Sequence, residues 1–502
     1  MDKLKKKIKF NQLIAKAAAV YHDRTAIVFE NQHITYFELA KRCQTIATWL
    51  QEQGVVAGDR VAFFMPNIPD EIACYFACFQ IGAIAVPLYS GLRGQDLQYA
   101  LDVVTPRLII TTESFRAHLH DANKVYAYFT LDDIPTISID EISADRVSGS
   151  KAAAIFFTSG STARPKGVVY DGKTMLRAGK TFAEALHIQA NDRVLVVGLD
   201  FNSTFFTRVL PSILRGAMLI LVDEYSPEKM LAAIIKEKAT VLTAVPSLAM
   251  TLLDLAERHE GFVSHVRLFG VGGDTVPAEL YARCRKVLGI DLTVGIGMTE
   301  CIGYAFNIPG EHYRMGSMGL PSDSTEIRII NKQGKFLAAN ESGQIVVRSP
   351  LMMKGYWQDR LNTRFAFKNG WLLTGDLGYL DEEGYLWFQS RLKHIVIVDG
   401  DNVAPQEVQT VLNQYPGVKG SAVVGLPDEK RGEVVVAFVA LSDPEMSLTE
   451  QELIEYAAKE LADFKVPRHI AFVKDFPKNN RRKIDRIKLS EMARQLWLNS
   501  LS

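Results

Sequence analysis

Apolar residues recur along this chain in short unbroken runs separated by amphipathic stretches. The runs Arg60 to Phe64, Ile81 to Leu88, Arg107 to Thr112, Val194 to Val197, Met218 to Val222, Val241 to Val245 and Val266 to Val271 show little polar alternation, which predicts strands covered on both faces. Between them, Met230, Leu231, Ile234 and Ile235 fall at helical spacing within residues 227–237, and Glu279 to Leu288 behaves likewise. Such aliphatic stripes read as core faces rather than ligand sites. Strands alternating with helices from about residue 30 to about residue 330 predict an α/β fold of parallel sheets flanked by helices.

From about residue 325 the pattern changes to short alternating strands with turns, at Glu326 to Ile330, Gln344 to Val347 and Tyr385 to Phe388, which predicts a β-rich subdomain. Residues 394–502 read as a small α+β domain, and no internal repeat or low-complexity tract is present. At 502 residues with 48% hydrophobic content the chain exceeds what one ordinary domain holds, so two or more domains are expected. Lys plus Arg equals Asp plus Glu at 57 each, which leaves no global basic field and argues against a nucleic-acid partner.

The five cysteines, Cys43, Cys74, Cys78, Cys284 and Cys301, have no metal-ligand pairing and fit a reducing compartment. Cys74 and Cys78 lie one helical turn apart in an apolar segment and read as core. No run reaches the roughly 18 apolar residues of a membrane span, and no secretory apolar core is seen, so a cytoplasmic location without stable membrane insertion is expected. The basic run Lys3 to Lys9 reads as a solvated first turn.

The chemistry is announced by Phe157-Thr158-Ser159-Gly160-Ser161-Thr162-Ala163-Arg164-Pro165-Lys166-Gly167, which follows the apolar run Ala152 to Phe157. Hydroxyls and backbone N–H groups there can donate to phosphate oxygens, Gly160 and Gly167 permit close backbone approach, and Lys166 supplies a point charge. It is not the common NTPase loop, because Gly167 and two valines follow the lysine where Ser or Thr would open a helix. A loop of this kind at the end of a buried strand predicts a small polyphosphate ligand, a nucleotide.

This loop resembles the signature of the adenylate-forming (AMP-binding) superfamily, which includes acyl- and aryl-CoA synthetases, peptide-synthetase adenylation domains and beetle luciferases. The resemblance extends in order over nearly the whole chain: Gly58-Asp59-Arg60, Met65-Pro66-Asn67, Gly82 to Leu88, Gly272-Gly273-Asp274, Gly297-Met298-Thr299-Glu300, Thr374-Gly375-Asp376, Arg391, Gly400 with Pro405, and Pro477-Lys478 through Lys483-Ile484-Asp485-Arg486. It implies a large AMP-binding domain over residues 1–390, with its β-rich subdomain at about 325–390. A small mobile domain over 391–502 would follow, with a hinge near 391–393 at Lys393.

Carboxylates do not react with thiols at neutral pH, so the implied chemistry uses ATP to make an acyl-adenylate and pyrophosphate, then an acyl-CoA and AMP. The resemblance places Thr158, Ser159, Gly160, Ser161, Thr162 and Lys166 on the phosphates, Glu300 on Mg2+, and Thr299 on the α-phosphate. It sets Gly272, Gly273 and Asp274 beside the adenine and Asp376 on the ribose hydroxyls, with Arg391 nearby. Lys483 bridges the carboxylate and the α-phosphate, a role suited to a point cation between two anions. Gly400 would line a pantetheine tunnel for coenzyme A.

Four residues depart from the family pattern: Ala163 and Arg482 for glycine, Ile296 for tyrosine, and Ser390 for glycine. The acid pocket is expected at Leu199 to Asn202, Val271, Gly297, Met298 and Cys301 to Tyr304, with Phe201 and Met298 suggesting an apolar aryl or fatty acid. Two alternatives remain at this stage: an adenylation enzyme that loads a carrier-protein phosphopantetheine, and a nucleotide-binding protein with decayed catalysis.

Overall fold

The computed structural model describes residues 8–120, 126–136, 142, 151–158, 165–199, 202–259, 262, 264–273, 276–399, 401–428, 430–443, 446–478 and 484–500. Each apolar run of the N-terminal part becomes a strand with buried flanks, and the strands assemble into two large sheets. The nine-stranded sheet runs Leu320–Pro321, Cys301–Asn307, Leu292–Met298, Leu268–Gly272, Val241–Ala244, Arg193–Val196, Met218–Leu221, Thr25–Phe29 and Gln32–Thr35. The seven-stranded sheet runs Gly355–Tyr356, Gly167–Tyr170, Ala154–Phe157, Ile84–Pro87, Arg60–Phe64, Leu108–Thr111 and Tyr128–Thr130. Both have parallel interiors, as expected; the nine-stranded sheet is antiparallel at both edges, and the seven-stranded sheet at one, where Ala154–Phe157 reverses into Gly167–Tyr170 and Gly355–Tyr356 adds beyond it, its other edge being parallel. Those reversals carry the site.

The two sheets pack about a layer of helices rich in aromatic residues. Helix Pro69–Ile81 has proline in its first turn and buries Cys74, Tyr75, Phe76 and Cys78. Tyr75 stacks on Phe205 with ring centroids 4.1 Å apart, and Phe156 meets Phe206 at 5.5 Å. All five cysteines are free and buried. Among the described residues no helix is long and apolar enough to cross a membrane.

A third sheet is formed by Glu326–Ile330, Gly343–Arg348, Trp371–Leu380, Phe367–Lys368 and Leu386–Arg391, all antiparallel, which matches the β-rich reading. The fourth comprises Asp401–Val403, Val396–Val398, Gly432–Leu441, Val418–Asp428 and the parallel strand His469–Phe472, backed by helices Pro405–Leu412 and Glu450–Glu460.

The N-terminal ends of the parallel strands are tied by one buried carboxylate. Asp192, 3% exposed, accepts from Arg267 Nε at 2.8 Å, Thr240 Oγ1 at 2.8 Å and the Gln189 amide at 2.7 Å. Burial raises the Asp192 carboxyl, but these donors, Arg267 foremost, hold it below the usual carboxylate range. Because its folded value is depressed, its stabilisation is present above the unfolded value, near pH 4, and is lost as pH falls through the folded value. Asp192→Asn should lower stability by about 2–3 kcal/mol at pH 7, below the full cost of breaking a buried pair because Arg267 is partly solvated. Denaturant titration at pH 7 and pH 3 checks this, and the deficit should shrink at the lower pH.

Candidate active site

The segment expected to hold phosphate is entered and left through a closed neck. Strand Ala154–Phe157 ends at Thr158 and the chain returns antiparallel as Gly167–Tyr170, with Phe157 opposite Gly167. The Thr158 amide donates to the Lys166 carbonyl at 3.0 Å, and the Lys166 amide donates to the Thr158 hydroxyl at 3.0 Å. Gly167 is required by packing, since a Cβ there would lie 2.8 Å from Ile155 Cγ2. Ser159, Gly160, Ser161, Thr162 and the departing Ala163 lie outside the described residues.

Lys166 does not point into open solvent. Its Nζ donates to Asn362 Oδ1 at 3.0 Å and sits 4.9 Å from the centroid of the Tyr356 ring, a cation–π distance. Asn362 is held by Asp359, which caps helix Arg360–Ala366 by accepting the Asn362 amide at 3.0 Å.

Thr299 and Glu300 form the two-residue loop of the hairpin between Leu292–Met298 and Cys301–Asn307, where Met298 pairs with Cys301. Three bonds fix that turn: Tyr170 OH to the Thr299 carbonyl at 2.8 Å, the Met353 amide to the Glu300 carbonyl at 2.8 Å, and Tyr356 OH to Glu300 Oε1 at 2.7 Å. Burial and the Glu300 carboxylate together hold the Tyr356 phenol well above its usual range, so it stays a donor. Glu300 Oε2 accepts no hydrogen bond among the described residues, and Glu300 is half-buried. One carboxylate oxygen without a protein donor, on the same tyrosine as Lys166, suits Mg2+, which takes one or two carboxylates and completes its shell with other oxygens and water.

A second acidic position lies on the third sheet. Asp376 and Arg391 are cross-strand partners, with Arg391 Nε 3.0 Å from Asp376 Oδ1. Tyr304 OH donates to Oδ2 at 3.3 Å, and the Asp376 amide donates to Thr374 Oγ1 at 3.0 Å. Asp376 is 2% exposed, and burial raises its carboxyl despite Arg391 and Tyr304. The Arg391 approach to Oδ1 lacks hydrogen-bond alignment, and no other donor reaches that oxygen among the described residues. A buried carboxylate oxygen with spare accepting capacity is what a pair of hydroxyl donors would complete. Lys393 lies in the turn Leu392–His394, where burial and then Arg391 lower its ammonium. His394 beside it is lowered to about 3 by burial and the cations Arg486, Lys393 and Arg391, and so is neutral.

The remaining expected residues divide. Gly272 and Gly273 close strand Leu268–Gly272, and a Cβ at Gly272 would lie 2.6 Å from the Gly295 carbonyl oxygen, so strand packing alone demands glycine there. The same holds for Gly297, whose Cβ would lie 2.5 Å from the Gly303 amide. Met298 is half-buried at the turn. The Val271 side chain is buried with Leu242, Phe269 and Val294 on the face turned to the outer helices, so it does not line a pocket and only its backbone is available. Cys301 and Tyr304 are likewise buried, and burial pushes the Cys301 thiol up to about 12. Phe201, Asp274, Gly400, Arg482 and Lys483 lie outside the described residues. Ile296 is half-buried in the hairpin strand, and Ser390 is buried opposite Leu377.

Tyr170, Tyr356 and Asn362 were not anticipated, and Tyr304, expected in the acid pocket, is buried and donates to Asp376. Tyr356 stands in Lys354-Gly355-Tyr356-Trp357 within a predicted β region, and its aromatic pair was the available signal.

A family model described as AMP-binding enzyme matches residues 14–357, and one described as AMP-binding enzyme C-terminal domain matches residues 407–483. The chain is 31% identical over 466 residues to a long-chain-fatty-acid–CoA ligase of Mycobacterium tuberculosis, covering 90% of this chain and 91% of that protein. The fold matches ATP-bound MatB from Rhodopseudomonas palustris with a TM-score of 0.90 at 27% identity, over 98% of this chain and 100% of that one. It also matches the o-succinylbenzoate CoA synthetase of Bacillus subtilis in complex with its acyl-adenylate intermediate, with a TM-score of 0.83 at 29% identity, over 95% and 97%.

Loss of the Tyr356 hydroxyl should release Glu300 Oε1 and cost about 1–1.5 kcal/mol in holding the carboxylate. Tyr356→Phe is therefore expected to weaken Mg-ATP binding by roughly 5- to 10-fold. Titration with a fluorescent ATP analogue, with and without Mg2+, checks it; the deficit should be confined to the Mg2+ arm.

Proposed function

This chain belongs to the AMP-binding enzyme family, and we propose that it is an ATP-dependent carboxylate–CoA ligase that forms an acyl-adenylate and pyrophosphate, then an acyl-CoA and AMP. The observation that supports this most is the bracket of residues 352–357, which sets Lys166 and Glu300 against one tyrosine and so joins a phosphate-loop cation to a metal-binding carboxylate.

In this reading Thr158, Ser159 to Thr162 and Lys166 hold the β- and γ-phosphates, and Thr299 donates its hydroxyl to the α-phosphate. Glu300 would hold Mg2+, which when bound would neutralise charge on the phosphate oxygens. Asp376 accepts the ribose hydroxyls, with Arg391 opposing the upward pull of burial on its carboxyl, and Gly272, Gly273 and Asp274 face the adenine. A carboxylate oxygen of the acid attacks the α-phosphorus and pyrophosphate leaves, while Lys483 sits between the two anions. The CoA thiol, entering past Gly400, then attacks the acyl carbon and AMP leaves with that oxygen. Residues 1–390 would act as the large domain and 391–502 as the small one, with Lys393 absorbing the backbone change as Lys483 withdraws.

The acid is read as one with an apolar aryl or alkyl body, from Met298 and Phe201. The relatives named above, one for a long-chain fatty acid and one for o-succinylbenzoate, support the reaction without choosing between such bodies.

Carboxylate-dependent ATP–pyrophosphate exchange across aryl, medium-chain, long-chain and amino acids, repeated with CoA, tests the proposal: exchange with one class of acid and thioester formation with CoA are expected. Lys483→Ala should cut exchange at least about 100-fold while leaving ATP binding in place. Unchanged exchange in that variant would sink the lysine's role.

A further inference from the structure

Arg208 is a partly buried cation without an acidic partner among the described residues. It lies in the segment Phe205–Val209, where the helical backbone widens to a π-turn, a local irregularity often found at functional positions. Its Nε donates to Thr243 Oγ1, Nη2 to the Thr243 carbonyl at 2.9 Å, and Nη1 to Thr204 Oγ1 at 2.9 Å and the Val197 carbonyl at 3.4 Å. All four acceptors are neutral, and no carboxylate pairs with it among the described residues. Burial lowers the guanidinium to about 10, with only the Tyr225 phenol opposing. It remains charged at neutral pH, and a desolvated charge is costly unless something completes it.

The place of Arg208 tells what would complete it. Thr243 lies on an interior strand of the nine-stranded sheet, between buried Leu242 and Ala244, yet both Thr243 and Arg208 keep partial exposure. Partial exposure continues across the C-terminal ends of the neighbouring parallel strands, at Gly272, Gly295, Ile296 and Met298, and reaches Thr299 and Glu300. The strands are in register, Thr243 with Gly270 and Gly272 with Gly295. We read these partly exposed residues as a trough from the guanidinium to the adenylation turn; it crosses two interstrand spacings and, since Thr243 is level with Thr293, runs six residues along the strand, roughly 20 Å in all. Three of the five guanidinium protons are spent on Thr243 and Thr204, and a fourth leans weakly on Val197. The rigid fork is thus held in place by the threonines with donor capacity left for the trough.

We propose that Arg208 is a specificity-determining residue, selecting acids that carry a second carboxylate or a carbonyl at the end remote from the reacting carboxylate. This rests on the ligase reading above and refines its acid: an apolar body about as long as the trough, ending in an anionic or accepting group. An acid with a methyl terminus would leave the guanidinium unpaired, and sites built to bond a polar group reject analogues that lack it far more strongly than apolar pockets reject a size change.

The test compares kcat/KM in ATP–pyrophosphate exchange for matched acids of equal length, one ending in carboxylate and one in methyl, in the wild type, Arg208→Met and Arg208→Lys. The wild type should favour the polar-ended acid by at least about 100-fold, Arg208→Met should bring the ratio to about 1, and Arg208→Lys should fall between. No preference in the wild type, or the same ratio in Arg208→Met, overturns the proposal. If Arg208→Met does not fold, Thr243→Val, which removes one anchor of the fork, should still lower the ratio, and an unchanged ratio counts against it. If no acid supports exchange in any protein, the ligase reading fails by itself. Calorimetric titration of the two acids into ATP-saturated protein then decides Arg208 separately: a preference lost in Arg208→Met supports it, and equal binding overturns it.

Discussion

The site depends on one short piece of chain, residues 352–357, that hydrogen-bonds to both large sheets at once. Met352 bridges Cys301 and the Met353 amide donates to the Glu300 carbonyl at 2.8 Å, while Lys354 and Trp357 donate to Val169 and Gly167 at 2.8 and 2.7 Å. One end of this strip therefore grips the Thr299-Glu300 turn of the nine-stranded sheet, and the other extends the seven-stranded sheet beyond Gly167–Tyr170. Backbone bonds of this kind are directional and costly to leave unmade when buried. They set the distance between a loop suited to phosphate and a carboxylate suited to its metal.

What the strip aligns is chemically sparse. Lys166, Tyr356 and Glu300 form a chain of cation, aromatic ring and carboxylate, and the remaining partners are hydroxyls and backbone groups. That economy fits phosphoryl and adenylyl transfer, in which the protein contributes positioning and fixed charge more than covalent chemistry. Several glycines near the turn are explained by the same closeness: Gly272 and Gly297 leave no room for a Cβ against Gly295 and Gly303. A glycine beside a proposed adenine site thus has a structural cause that stands without the adenine.

Much of this was legible in the sequence, for reasons that particular elements make plain. Runs such as Arg60 to Phe64 and Val241 to Val245 are apolar on both faces because parallel interior strands are covered on both faces, and they fold as Arg60–Phe64 and Val241–Ala244. The helix predicted over residues 227–237 forms as Pro227–Lys236, capped by Ser226. Contacts between distant segments were not legible: Lys166 meets Asn362 at a separation of 196 positions, and Glu300 meets Tyr356 at 56. Val271 was expected in the pocket, but strand pleating turns its side chain into the outer core. Arg208 carried no signal at all, since an arginine in a helical stretch reads as a solvated charge until its neighbours are known.

The most direct test follows an atom. If the acid is activated at the α-phosphorus, acid labelled with 18O in both carboxylate oxygens should deliver one labelled oxygen to AMP for each acyl-CoA formed, seen as the isotope shift of the AMP resonance in 31P NMR. Label appearing in inorganic phosphate, or AMP released without label while thioester accumulates, would contradict adenylation and with it the roles assigned to the turn, the phosphate loop and the strip that joins them.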